Sequence, residues 1–324
     1  MTLASRPGAS PRSRPQRGAA LLTAMIIVTL VATLAASMVW QQWRAVQVEA
    51  AERGRVQSAW ILSGALDWAR LILKEDARNG GDDDLGEPWA VPLAEARLST
   101  FLAADKSNTD DAPDAFLSGA ITDAQSRYNL TNLVAQGKVD LLELAALGRL
   151  CEAIGAPGDV AGRIATGLLS AQGAVGAAGI DPGAPLLPRS VAQLAWLGVD
   201  ADTLRLLAPY VVLLPRATPV NVNTAPREVL VAAINKLDLA SAERLIQVRQ
   251  RTPFKTLAQI EHEVPALAPL DPARLGWSSS FFEVRGRLRL ADRALEQTSL
   301  VERRGLDVIV LQRERVSSRD QAAS

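Results

Sequence analysis

From Ala19 to Trp40 the chain reads AALLTAMIIVTLVATLAASMVW, and no charged residue stands between Arg17 and Arg44. At ~1.5 Å per helical residue this run is long enough to cross a bilayer core of ~30 Å. The apolar pattern then continues: Leu62, Leu66, Ala69 and Leu73 recur at spacings of four, three and four, one face of a helix. No proline occurs between Pro15 and Pro88. The pattern predicts one long helix from about Ala19 to about Lys74, its first half in lipid and its second half packed on a globular body. Arg6, Arg12, Arg14 and Arg17 precede the run without any acid, which favours a cytoplasmic N-terminus. Trp40 and Trp43 at the far end suit the membrane–water interface. The competing reading is a cleaved secretory signal ending in the small residues of Leu34-Ala35-Ala36-Ser37. Against it stand the length of the run, since signal cores span ~7–15 residues, and the helical pattern beyond it.

Asn79-Gly80-Gly81-Asp82-Asp83-Asp84 breaks the helix with turn formers and charge. Residues 85–105 show no clear period. Ser107 to Pro113 forms a second polar loop, and Ala115 to Ala120 reads as a short strand. The two acidic loops match no EF-hand spacing and read as solvated. Residues 133–277 are rich in Ala and Leu with helical periodicity. Helices are expected at Val139 to Ile154, at Val160 to Ala171 capped by Asp159, at Val191 to Leu197 capped by Ser190, and from about Asp202 to Ala208. Gly173 to Pro188 is a glycine- and proline-rich linker. Thr224 reads as the cap of a helix Pro226–Ile234, with proline in the first turn and Glu228 at its positive end. A hairpin Asn235-Lys236-Leu237-Asp238-Leu239 leads to a helix Ser241–Arg251, and Pro253 to Ile260 opens another. After Trp277 the period becomes two: Phe282, Val284, Leu288 and Leu290 alternate with Glu283, Arg285, Arg287 and Arg289, with Gly286 in the apolar register. Asp292 and Arg304-Gly305 mark turns, so Leu295–Arg303 and Leu306–Glu314 complete an antiparallel meander.

Composition narrows the chemistry. The 35 basic and 35 acidic side chains cancel, so no global charge draws the chain to nucleic acid. The single cysteine, Cys151, forms no internal disulfide and lies in an apolar run, which marks it as a core residue. His262 is the only histidine, and no nucleophile motif, metal-ligand cluster or phosphate loop appears, which argues against an enzyme.

Three segments carry a family resemblance: Arg17-Gly18-Ala19-Ala20-Leu21-Leu22, Asp123 to Leu133, and Asn221 to Leu230. The first resembles a type IV prepilin leader. Nearly the whole chain resembles the K-type minor pseudopilins of type II secretion systems. The resemblance implies cleavage by prepilin peptidase after Gly18 and N-methylation of Ala19. Most pilins and pseudopilins place glutamate at the fifth mature position; here it is Thr23, and the K-type members are similar in lacking that carboxylate. The implied motif residues are Asp123, Asn129, Asn132, Asn221, Asn223 and Thr224, with Thr131 where the family usually has asparagine. The implied fold is α+β: a long N-terminal helix on an antiparallel β-meander, with a large inserted all-α domain of two helix-hairpin-helix (SAM-like) units. The boundaries read as a leader at 1–18, a transmembrane half-helix at 19–43, helix and first strands at 44–132, and the inserted domain at 133–277 (units 133–188 and 189–277). A closing meander at 278–316 and a tail at 317–324 complete the chain.

The function this implies is non-enzymatic: initiating or capping the pseudopilus tip with I- and J-type minor pseudopilins. The inner-membrane assembly platform is a further implied partner, and the protein would be single-pass in the inner membrane with a periplasmic C-terminal domain. No cofactor is expected. Calcium is the one ion the resemblance allows, although Gln172 to Pro188, where the family often carries an acidic stretch with Trp and Tyr, holds only Asp181 as an acid. The alternative is a membrane-anchored helix-hairpin-helix protein for DNA uptake, since Asn221 to Ile260 also resembles that module. Its hairpin at 235–239 lacks the glycine that lets backbone N–H groups approach phosphate, and it carries Asp238, so no nucleic-acid partner is expected.

Overall fold

The computed structural model describes residues 17–98, 115–173, 175–176, 179–180, 183–290 and 293–319. The polar loop 107–113 and Asp292 lie outside these residues. Helix α1 runs from Arg17 to Asn79. Contacts divide the chain into two compact units, one up to Ala59 and one from Trp60 onward.

In the first unit α1 is exposed along its apolar run, which has a mean hydropathy of 2.4. Its hydroxyls bond to the helix's own carbonyls: Thr23 to Ala19, Thr29 to Met25 at 2.9 Å, Thr33 to Leu30 at 2.9 Å and Ser37 to Leu34 at 2.7 Å. Hydrocarbon offers no partner for a polar group, so this internal pairing is what makes the segment compatible with lipid.

In the second unit the rest of α1 lies on a five-stranded antiparallel sheet. Its strands are β1 (Leu93–Arg97), β2 (Ala115–Asp123), β3 (Phe281–Leu290), β4 (Arg293–Arg304) and β5 (Asp307–Arg319), in that spatial order. The expected strand Ala115–Ala120 therefore runs on to Asp123, and the meander gains two strands on the β3 side. Leu62, Leu66, Ala69 and Leu73 are all buried, as their spacing predicts. Leu66, Ala69 and Leu73 pack with Trp89, Phe282, Val284 and Val301. Fully burying each large side chain is worth ~1.5–3 kcal/mol, so this seam alone fixes which face of α1 meets the sheet. Gly286 interrupts the apolar register of β3 because a Cβ there would stand 3.1 Å from Leu62 Cδ2.

Between β2 and β3 the chain leaves the sheet and builds a helical block with one continuous core. Its helices are α2 (Leu141–Ile154), α3 (Val160–Gly173), α4 (Ala201–Leu207), α5 (Arg227–Ala233), α6 (Leu239–Arg249) and α7 (Leu257–Glu263). Cys151 is buried in that core, where burial pushes its thiol up to about 11. Several boundaries differ from expectation for local reasons. Val139 pairs with Val134, so α2 starts later, capped by Asp140. Val191–Leu197 forms a 3-10 helix, and the Ser190 side chain makes no capping bond. α5 begins at Arg227 with Pro226 in the cap position; Thr224 is spent elsewhere.

Candidate functional site

The sequence motifs Asp123–Leu133 and Asn221–Leu230 come together where the helical block joins the sheet. Asp123 ends β2 and is 2% exposed. Its Oδ2 accepts from Thr224 Oγ1 at 2.6 Å, Ser279 Oγ at 2.7 Å and Asn221 Nδ2 at 2.9 Å, while Oδ1 accepts from Gln125 N at 2.7 Å. Burial raises its pKa, opposed by these hydrogen bonds. The bonds join three chain segments far apart in sequence, so the carboxylate is a clamp between block and sheet. Thr224 serves this clamp instead of capping α5.

The asparagines act in the same way, each satisfying backbone that has no sheet or helix partner. Asn129 Nδ2 donates to Arg216 O at 2.8 Å and Thr218 Oγ1 at 3.1 Å, and its Oδ1 accepts from Thr131 N at 3.1 Å and Leu214 N at 3.2 Å. Asn132 exchanges two bonds with the Thr218 backbone, and Asn223 exchanges two with the Phe254 backbone. Asn221 also donates to Asp83 O at 3.0 Å. Arg249, which the sequence did not single out, is 8% exposed and donates to the carbonyls of Val222 and Ala225. Its burial lowers its pKa to about 10.

A second polar cluster lies beside the first. Asp83 was expected in a solvated loop, but it is 2% exposed. Arg303 draws it inward, reaching both Asp83 oxygens and Asp76 Oδ2 at 2.6 Å. The Arg303 guanidinium also covers the Phe282 ring at 4.8 Å. Glu87 stands nearby, its Oε2 accepting from Trp89 Nε1 at 2.6 Å. The arginine stripe of β3 is used in surface pairing: Arg285 meets Glu283 and Glu296, and Arg289 meets Glu95.

The hairpin between α5 and α6 holds no glycine. Lys236 takes the left-handed conformation there, with φ 64°. Asp238 caps α6, accepting from Ser241 N at 2.9 Å, and so occupies the helix end that would otherwise face an anion. The remaining named positions, Gly18, Ala19 and Thr23, lie in the first turns of α1, in the other unit.

Two family models for type II secretion system protein K match the chain, one over residues 126–216 and one over residues 220–276. Over its helical block the chain is similar to type II secretion system protein K. The matched stretches include Asn129, Asn132, Asn221, Asn223 and Thr224, the residues that fasten the helical block. Type II secretion system protein K of Pseudomonas aeruginosa is 28% identical over 313 residues, covering 90% of each chain. The protein of the same name from Pectobacterium carotovorum is 27% identical over 94% of this chain and 97% of its own length. The fold matches a chain in the crystal structure of the GspK-GspI-GspJ complex from enterotoxigenic Escherichia coli, with a TM-score of 0.61 and 19% identity, covering 83% of this chain and 99% of that one. The full-length similarity to K proteins makes the chain a minor pseudopilin of type II secretion, with an N-terminal apolar helix.

Proposed function

We propose that this minor pseudopilin is a non-catalytic scaffold that starts or caps the pseudopilus tip with I- and J-type minor pseudopilins and works without a cofactor. The observation that carries the reading is the full-length similarity to K proteins, together with a helical block that has its own core and is inserted between β2 and β3 of the sheet. The solved complex to which the fold is similar pairs a K chain with I and J chains, which is why those two types are the proposed partners.

The chain is held in the inner membrane by residues 19–43, with the N-terminus in the cytoplasm and the sheet and helical block in the periplasm. Prepilin peptidase cuts after Gly18 and Ala19 receives a methyl group. Thr23 at the fifth mature position supports a tip location: its hydroxyl is satisfied by its own helix, whereas a glutamate there would need a neighbour's charge in hydrocarbon. The helical block is read as two helix-hairpin-helix-like units, α2–α3 and α5–α6, at 133–188 and 189–277. Their hairpins serve packing in this reading, since Asp238 is engaged as a helix cap. Pseudopilin elements at 44–132 and 278–316 flank the block.

Intact-mass measurement of protein purified from its own membranes tests the processing. It should begin at Ala19 with one added methyl group; a start near Ser37 or Met38 would replace the anchor with a cleaved signal. Deleting the gene should abolish type II export, and the wild-type chain should restore it. Undiminished export in the deletion strain would overturn the scaffold role.

A further inference from the structure

A cavity of about 280 Å³ opens among the end of α1, the loop 80–87, the serines 278–280 and Arg303. Asp76, Asp83 and Glu87 each bring a carboxylate oxygen to it, and those oxygens lie within 4.8 Å of one another. Arg303 bonds Asp76 and Asp83. Glu87 is held only by neutral donors, Trp89 Nε1 at 2.6 Å and Asp84 N at 3.1 Å. Three carboxylates thus share one guanidinium. The other charged groups facing the cluster do not correct this. From the loop, Asp82 is paired with Lys255, and Asp84 accepts from Gly86 N. From β2, Asp123 adds a further negative field on Asp83. From β4, Arg304 is engaged by Glu302. Like charges this close in a partly buried site are relieved by holding a proton.

We propose that the Asp76–Asp83–Glu87–Arg303 cluster is a proton-operated latch that fastens loop 80–87 to the sheet when it holds a proton and loosens when fully ionised. The loop is what ties the end of α1 to the helical block, through Asp82 to Lys255 and through the Asp83 carbonyl to Asn221. Burial raises Glu87 to about 7 and Asp83 to about 6, against ordinary values of 4.5 and 3.8. The direction follows from proton counting. Between about pH 4 and 7 the folded latch binds more protons than the open loop, so closure is favoured at low pH and lost as pH rises through 7.

The test is tryptic cleavage after Arg78, followed by mass spectrometry on the full chain in detergent micelles with a chelator present. Rates at pH 6 and 8 are divided by the rate on an unstructured peptide at the same pH. The latch predicts normalised cleavage at least ~10-fold faster at pH 8, since each unit of pKa shift is worth a factor of ten. Glu87→Gln keeps an acceptor for Trp89 and should flatten that dependence. Asp76→Asn, which removes one of the competing charges, should also reduce it, and it decides the matter if Glu87→Gln fails to fold by circular dichroism. Equal or slower normalised cleavage at pH 8, or an unchanged slope in a folded variant, would overturn the proposal.

Discussion

Asn129→Ala is the sharpest probe of how the helical block is fastened. The side chain is 1% exposed and makes four hydrogen bonds to groups between Thr131 and Thr218. Three of those groups are backbone: Arg216 O, Thr131 N and Leu214 N. A typical internal hydrogen bond contributes ~0.5–1.5 kcal/mol net, and a buried group left unpaired costs ~1–3 kcal/mol. Four bonds therefore set the loss at about 4 kcal/mol, before any cavity is counted. Water entering the vacated space would recover part of it, which gives a working range of ~3–5 kcal/mol. A domain's whole stability is ~5–15 kcal/mol, so a loss of this size is easily measured. The assay is urea unfolding of the full chain in micelles, followed by circular dichroism. A loss below ~1 kcal/mol would refute the assignment of Asn129 as a structural fastener and return it to the candidates for partner contact.

Three further substitutions test separate parts of the account. Lys236→Gly should raise stability by ~0.5–1 kcal/mol, because a non-glycine residue at φ 64° is strained, whereas Lys236→Val should lower it; urea midpoints read both. Gly119→Ala should cost ~1–3 kcal/mol on the same assay, since its Cβ would stand 2.8 Å from the Arg285 carbonyl oxygen across the β2–β3 pair. Thr23→Glu should give no gain in export and should weaken membrane insertion in carbonate extraction; a clear improvement in export would place the subunit inside the fibre.

Much of this architecture is legible along the chain because its signals are local. The four-three-four spacing of Leu62 to Leu73 fixes the packed face of α1, and the alternation after Trp277 fixes β3. Gly286, the one break in that alternation, follows from the close approach of Leu62. The motif residues are visible as a pattern, but their roles are not, because their partners are distant: Thr224 meets Asp123 across 101 positions, and Arg303 meets Asp83 across 220. An aspartate in a glycine-rich acidic run looks solvated until the arginine that buries it is known. Thr224 before Ala225-Pro226 looks like a helix cap for the same reason, since nothing local announces that Asp123 claims its hydroxyl.

The central claim is that this chain assembles at the tip with I- and J-type minor pseudopilins. Co-expressing the full-length chain with both partners from the same organism, extracting them in mild detergent and separating by size-exclusion chromatography tests it most directly. The account predicts a single co-eluting peak that holds all three chains. It also predicts no DNA affinity beyond the nonspecific range of ~10⁻⁴–10⁻⁶ M in fluorescence anisotropy at physiological salt. Separate elution of the K-type chain, together with tight DNA binding that collapses as salt is added, would contradict it.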